Sequence, residues 1–452
     1  QLDLHNSSDA RNKTAYLISD FQKSNFKLSE IKNDSSVHVV LLPLEGSTKN
    51  NLFIDSCWFD SPSRQLNKAE VLNVRVSNAS EVQVENAPIK LFINKKQKAL
   101  ASITLEANSS TIVKLSFTSK ELGIQNAQLQ LTDYPVTFDD AYYFSYAVAR
   151  QINVLCINDE NESNAINTLF KNDSAFLLKN VSEKNIDYAG LPQNNLIILN
   201  ELKSISSGLS QELKRFANNG GSVLIFPSKQ TDISAYQNFL SSVQANYYTA
   251  LDTAANRVDK INLAHNLYSD VFDKKKQNTN IDLPKVLKHY VLSNFSRSNL
   301  EYLLRMQNGD VFLGKNKVGK GQLYLSAVPL DNSFSNFTKH AIFVPTLYKI
   351  ALHSVAPQRL YYTIGKDEPI DLNSSNLGAD EVYHVKSASS NFDMVPEQKV
   401  LETGSKILLH NQIKVADNYQ LLASSDTLMG IGFNYDRKES LLSCLSKEEL
   451  EE

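Results

Sequence analysis

Three runs of consecutive apolar residues stand close together in the middle of the chain. They lie at 151–157, at 195–200 with Leu196, Ile197, Ile198 and Leu199, and at 222–226 with Val223, Leu224, Ile225 and Phe226. Apolar runs of this length between polar residues predict strands buried on both faces, as in a parallel sheet. Between the last two, residues 206–217 place Leu209, Leu213 and Phe216 on one helical face. Ser206 or Ser207 can cap that helix, and Gly220-Gly221 can end it through a left-handed residue. Strand, helix and strand at this spacing predict a right-handed crossover between parallel neighbours.

On either side the pattern changes. Residues 14–19 and 37–42 are strand candidates, joined by a weak link through Phe26, Leu28 and Ile31. The unit is too small for a doubly wound domain, so 1–50 is expected to be an incomplete α/β unit resting on the neighbouring sandwich. From Asn51 the apolar residues alternate: Leu72, Val74 and Val76 point one way, Asn73, Arg75 and Ser77 the other. Thr111, Val113, Leu115 and Phe117 repeat the pattern, and 52–58, 89–93, 99–105, 127–131 and 141–148 add further candidates. These short strands predict an immunoglobulin-like β-sandwich over 51–150. Trp58 is assigned to a core or a domain seam, and Tyr142, Tyr143 and Tyr146 to the core.

The α/β domain is expected to span 151–357. It continues with a helix at 233–240, a long irregular region to Lys320, and strands at 311–313 and 322–328. A helix through Phe343, Leu347, Ile350, Ala351 and Ser354 packs back on the sheet, with Pro345 in its first turn. Candidates at 361–364, 382–385, 406–410, 419–423 and 429–434 predict a second, smaller sandwich over 358–452, with a short helix at 440–450. The expected fold class is therefore multidomain: a doubly wound α/β domain flanked by two β-sandwiches.

Composition bounds the function classes. A length of 452 residues suits roughly three or four domains. An apolar content of 42% and a charged content of 21% are ordinary for globular protein. A net charge of -3 argues against a nucleic-acid footprint. No run of 18 apolar residues offers a membrane span, and no signal peptide is present. The chain begins with Gln1 rather than Met, which suggests a processed or excised fragment. Cys57, Cys156 and Cys444 lie too far apart for a metal motif or a disulfide framework.

Open sheets bind ligands beyond the carboxyl ends of their strands. Those ends are Asn158-Asp159, Asn200-Glu201 and Pro227-Ser228, so Asn158, Asp159, Glu201 and Ser228 are the candidate ligand-binding residues. Cys156 is the tempting nucleophile, yet Leu155 and Ile157 flank it where a strand-to-helix elbow needs small residues. It reads as a buried structural thiol, and Ser228, between Pro227 and Lys229, reads as a loop serine. The segment from Gly314 to Gly321 mimics a phosphate-binding loop. However, Gly321 stands where a hydroxyl should hold magnesium, and a strand follows where a helix should, so it reads as a hairpin turn. Lys274–Lys276 reads as a solvated basic loop. His5, His38, His265, His289, His340, His353, His384 and His410 form no zinc spacing.

Two passages carry a resemblance. Tyr16-Leu17-Ile18-Ser19-Asp20-Phe21-Gln22 resembles the late strand of a von Willebrand A-like domain, in which an aspartate at the place of Asp20 completes a metal-ion-dependent adhesion site. The Asp-x-Ser-x-Ser front half of that site is absent, which leaves Asp20 an incomplete remnant that holds no metal. The second passage is the domain order. A sandwich, an α/β domain with Asn219-Gly220-Gly221-Ser222, the Phe343-Val344-Pro345 helix and the closing Asn434-Tyr435-Asp436-Arg437-Lys438-Glu439-Ser440 follow in turn. This order resembles the extracytoplasmic part of bacterial BatA-type, aerotolerance-related membrane proteins. The α/β domain is similar to class I glutamine amidotransferase-like domains, without their Gly-x-Cys-x-Gly nucleophile and His-Glu pair.

The resemblance implies a non-catalytic, extracytoplasmic (periplasmic) scaffold or sensor. It would bind protein partners and be anchored in a membrane through segments outside this chain, with no cofactor. A hydrolase or amidotransferase relative, or a carbohydrate- or peptide-binding protein, are the alternatives. A base within hydrogen-bond reach of the nucleophile would mark the enzyme, and a concave apolar pocket the binding module.

Overall fold

The computed structural model describes residues 13–23, 26, 37–44, 51–134, 136–268, 271, 282–293, 299–372, 382–401, 404–424, 426–441 and 443–451. Leu28, Ile31, His5 and the basic run at 274–276 lie outside the described residues. Near the start, β1 (Lys13–Ser19) and β2 (Val37–Pro43) pair in parallel as a two-stranded sheet. Tyr16, Leu17, Ile18, Val39 and Leu42 on these strands are exposed. The sheet is tied to the remainder through the buried Phe21 and the residues after it. Gln22 bridges Cys444, Lys23 N donates to Ser443 O and Leu445 N to Phe21 O. These ties run to the C-terminal segment, where the sequence suggested a seat on the sandwich.

The alternating segment forms seven strands: β3 (Leu52–Phe59), β4 (Ala69–Asn78), β5 (Val84–Ile93), β6 (Lys96–Leu105), β7 (Ser109–Thr118), β8 (Gly123–Gln130) and β9 (Ala141–Val148). They make a three-stranded sheet, β3-β4-β7, facing a four-stranded sheet, β6-β5-β8-β9. Leu72, Val74 and Val76 of β4 bury against Ile89, Leu91 and Phe144 of the opposite sheet in one core. Each such side chain contributes about 1.5–3 kcal/mol by leaving water. Trp58 is half-buried and lines a cleft with Arg359 and Tyr361, which places it at a domain seam.

The central domain is built on a nine-stranded sheet. It begins with β10 (Ile152–Asn158), α1 (Asn164–Lys171), β11 (Phe176–Ser182), β12 (Leu196–Asn200), α2 (Ser207–Asn218), β13 (Ser222–Phe226) and α3 (Ile233–Ser242). Then come β14 (Tyr248–Asp252), β15 (Asn256–Ile261), β16 (Lys285–Val286), β17 (His289–Leu292), β18 (Glu301–Met306), β19 (Val311–Val318), β20 (Gly321–Ser326) and α4 (Phe343–His353). The order is β11-β10-β12-β13-β20-β19-β18-β15-β16, with β14-β17 as a separate pair. The first five strands run parallel and the rest antiparallel. All five residues of β12 and of β13 are buried. Ser206 caps α2, its hydroxyl accepting from Leu209 N, and Gly220 at φ +109 ends it, with Gly221 N donating to Phe216 O.

Strands β14 to β18 occupy the stretch that reads as irregular in the sequence. They are short, and their apolar alternation is broken by register shifts at Val258/Lys260 and Leu304/Arg305. The glycine-rich segment is a hairpin, but β19 runs on to Val318, so its turn holds only Gly319 and Lys320.

The C-terminal region contains β21 (Tyr361–Thr363), β22 (Ile370–Leu372), β23 (Tyr383–Ser387), β24 (Asp393–Met394), β25 (Glu397–Leu401), β26 (Gly404–Leu408), β27 (Asp417–Ala423) and β28 (Asp426–Asn434). They form a five-stranded and a three-stranded sheet. β28 packs across β9 of the first sandwich. A Cβ on Gly432 would sit 2.3 Å from Tyr143 O, and one on Gly430 2.6 Å from an Ile124 methyl. Only glycine lets these backbones approach so closely. The helix expected at 440–450 is divided. A 3-10 turn at Glu439–Leu441 and α5 (Lys447–Glu451) flank Cys444, which pairs with Gln22.

Candidate functional site: the carboxyl edge of the central sheet

The five parallel strands follow the order second-first-third-fourth-fifth in chain sequence, so the strand order reverses between β10 and β12. A ligand crevice in such a sheet is expected outside the carboxyl ends at that reversal. Asn158 ends β10, Asn200 ends β12, and the two are register partners. The structure closes the position with amides. Asn200 Nδ2 donates to Asn158 Oδ1 at 2.8 Å, and Asn158 Nδ2 donates to Asn180 Oδ1 at 3.1 Å. Asn180 Nδ2 in turn donates to Asn167 Oδ1 of α1 at 2.9 Å. Asn158 and Asn200 are both buried; their other amide groups are paired, but Asn200 Oδ1 has no hydrogen-bond partner.

Cys156 lies beneath this network, fully buried, with its thiol donating to Asn158 Oδ1 at 3.4 Å. Burial, reinforced by Glu162, pushes the thiol up to about 12 against the pull of Asn158. At neutral pH the thiolate is therefore negligible. Ser228 is buried, and its Oγ accepts from Gln230 N at 3.3 Å, an ordinary turn contact. Among the described residues no histidine bonds Cys156 or Ser228. His265 meets Lys315 and Glu301, and His289 meets Asp310.

Glu201 departs from the rest. It follows β12 directly and sits at φ +58, the left-handed region, although it is not glycine. Such a residue stores about 1–3 kcal/mol of strain that its surroundings must hold. Its N–H donates to Phe226 O at 3.0 Å, locking it to the end of β13. Burial raises its carboxyl above the usual range, while a hydrogen bond from Leu330 N and the charge of Lys229 draw it back. Lys229 itself pairs with Asp331 at 3.1 Å, and Asp331 is held down at about 2, chiefly by Ser333. Asp159 is turned toward Lys203, at 3.7 Å. The four predicted residues thus share one edge of the sheet. Asn158 belongs to the amide network, Glu201 to the strained corner, Asp159 to a surface ion pair and Ser228 to a turn.

Asp20 directly follows β1 of the separate two-stranded sheet, and its carboxylate accepts from Ser19 Oγ at 3.3 Å and Gln22 Nε2 at 2.9 Å. One grouping that the sequence spacing did not reveal is Asp252, His289 and Asp310, whose ligand-type atoms all lie within 4.8 Å of one another. His289 Nε2 bonds Asp310 Oδ2 at 2.9 Å, and Asn308 Nδ2 donates to the same oxygen. Asp252 Oδ1 accepts from Ala254 N at 2.8 Å. His289 Nδ1 is buried without a hydrogen-bond partner, so the grouping is only partly satisfied; three protein ligands fall one short of a closed zinc site and match the number an open one uses.

No family model and no curated protein matches the chain. Among solved structures, a cytoplasmic protein from Salmonella typhimurium is similar at 13% identity and a TM-score of 0.36, over 45% of this chain and 100% of its own. A ThuA-like protein from Bacteroides uniformis is similar at 14% identity and a TM-score of 0.34, over 49% and 95%. A CARDB domain from Pyrococcus furiosus, solved with di-metal ions, is similar at 14% identity and a TM-score of 0.21, over 23% and 97%.

Proposed function

We propose that the chain is the non-catalytic, extracytoplasmic scaffold or sensor region of a membrane-anchored BatA-type protein, working through protein-protein contact. In this reading 1–50 is the late part of a von Willebrand A-like unit and 51–150 an immunoglobulin-like sandwich. Residues 151–357 form a glutamine amidotransferase-like domain without its catalytic machinery, and 358–452 a smaller sandwich. The observation that carries the reading is the closed reversal point: Asn200 Nδ2 on Asn158 Oδ1 at 2.8 Å occupies the place where a substrate would enter. The exposed apolar residues of β1 and β2 add support, because clustered apolar exposure marks contact surfaces. The periplasmic setting and the membrane anchor rest on the family resemblance. One observation favours a second reading as an enzyme: Glu201, strained and with a raised pKa at a strand end, has the character of a general acid.

Substitution in the full-length protein in its own cells tests both readings. Ile18→Asp with Leu42→Asp is expected to abolish recovery of its membrane partners, while Cys156→Ala and Glu201→Gln leave both recovery and cell phenotype intact. Loss of the phenotype in Glu201→Gln or Cys156→Ala, with the fold retained by circular dichroism, overturns the scaffold reading in favour of the enzyme.

A further inference from the structure

A cleft of about 550 Å³ lies where the outer face of the first sandwich meets the C-terminal region. Its floor is the outward face of β5, β8 and β9. Phe92 stands opposite Gln128, and Gln128 opposite Tyr143, so ring, amide and ring cross three strands in one row. At one strand spacing per step, the two aromatic positions are about 10 Å apart. Tyr142 and Tyr146 enter the core, as the sequence suggested. Tyr143 instead lies on the other face of β9 and is half-buried, as is Phe92. Among the described residues, neither of these two rings belongs to a hydrophobic core.

The polar groups beside the rings are open. Among the described residues the Gln128 amide and the Tyr143 hydroxyl have no hydrogen-bond partner, yet neither is shut away from solvent. Burial, with the charge of Asp417 next in effect, raises the Tyr143 hydroxyl above its usual range, so it is a donor at neutral pH. Gln130, one row further along, is exposed. Asp417 lines the cleft from the C-terminal side and is only 7% exposed. Its Oδ2 accepts from Ser387 Oγ at 2.6 Å and from Ser389 Oγ at 2.5 Å, which fixes the carboxylate. Its Oδ1 has no partner among the described residues and keeps contact with solvent. Asp417 and Lys95 are the charged residues of the lining, one of each sign.

We propose that this cleft binds a neutral saccharide chain, with sugar rings against Phe92 and Tyr143 and sugar hydroxyls on Gln128, Gln130 and Asp417. A pyranose has an apolar C–H face and a rim of hydroxyls, and aromatic rings beside polar groups match both. An amide donates and accepts at once, and a carboxylate accepts from two sides, which suits groups that are themselves both donor and acceptor. The balanced charge of the lining leaves no field that would select an ion. An extended peptide is a poorer fit. β8 is paired on both sides, by β5 and β9, so the floor has no open strand edge to offer a peptide backbone. The volume is in the range of small-molecule sites.

Calorimetric titration of the full chain tests this, with cellotetraose, maltotetraose and chitotetraose as probes. Tetraethylene glycol serves as a neutral control without sugar rings, and capped tetra-alanine as the peptide. Saturable binding of at least one saccharide, absent with tetraethylene glycol, is expected. Phe92→Ala and Gln128→Ala should each weaken it roughly tenfold, with the fold retained by circular dichroism. If Phe92→Ala does not fold, Gln128→Ala and Gln130→Ala carry the test, each with weaker binding expected. The proposal is overturned by any of four results: no saturation by about 10 mM of any of the three saccharides, an equal response to tetraethylene glycol, tighter binding of the peptide, or unchanged affinity in all the variants that fold.

Discussion

Strands β10 and β12 form a parallel pair from apolar runs, and so do β1 and β2, but the two pairs end in opposite surroundings. The runs of β10 and β12 are closed over by helices and neighbouring strands, and α4 packs against β10. Those of β1 and β2 leave Tyr16, Ile18 and Leu42 open to water. A parallel ladder has two faces, and in stable domains both are covered. An apolar strand run is therefore a demand for cover, and it is met within this chain in one place and left open in the other.

The sharpest way to break that contrast is to put the same charge on both ladders. Ile198→Asp, at a fully buried position in β12, should cost at least about 4 kcal/mol and abolish cooperative folding of the central domain. Ile18→Asp, at 62% exposure, should change stability by no more than about 0.5 kcal/mol in a urea titration. A large loss in the second variant would mean that the first ladder is covered after all. Between these extremes stands a third parallel pair, β21 and β28, covered on one side by the first sandwich. Gly432→Ala should cost about 1–3 kcal/mol there, because the added methyl meets Tyr143 O; calorimetry of the intact chain measures it.

The smallest effect is kinetic. With a thiol reagent at neutral pH, Cys444, half-buried beside the attachment of the first ladder, should react on the order of a hundredfold faster than Cys156 or Cys57, which await wider opening. Equal rates would erase the distinction.

The same principle explains which parts were legible in the sequence. The runs in β10, β12 and β13, the Ser206 cap and the Gly220 stop, and the alternation of β3 to β9 all announce themselves locally. β11 and β14 to β18 do not. They are edge or one-sided strands, and bulges reset their alternation at Val258 and Leu304. The strand-end residues Asn158, Glu201 and Ser228 could be named because a strand's end is a local fact. That Asn158 meets Asn200 and Asn180 follows only from the sheet order, which puts β10 between β11 and β12. The left-handed backbone of Glu201 had no local warning, since no glycine or asparagine occupies the position.

The seam between the sandwiches has a consequence for sequence drift. Asn434 Oδ1 accepts from Tyr143 N at 2.7 Å while its Nδ2 donates to Tyr143 O at 2.8 Å, and Asn418 Nδ2 donates to Ala127 O at 3.0 Å. At these points the second sandwich grips the main chain of the first, and the identity of the gripped residue does not enter the bond. These two bonds are open to any residue at 143 except proline, which has no N–H to give, although the Tyr143 ring also lines a cleft with Asp417 and Asn418. The side that must stay fixed is the gripping one, Asn418, Gly430, Gly432 and Asn434, so related chains should vary unequally across a single interface.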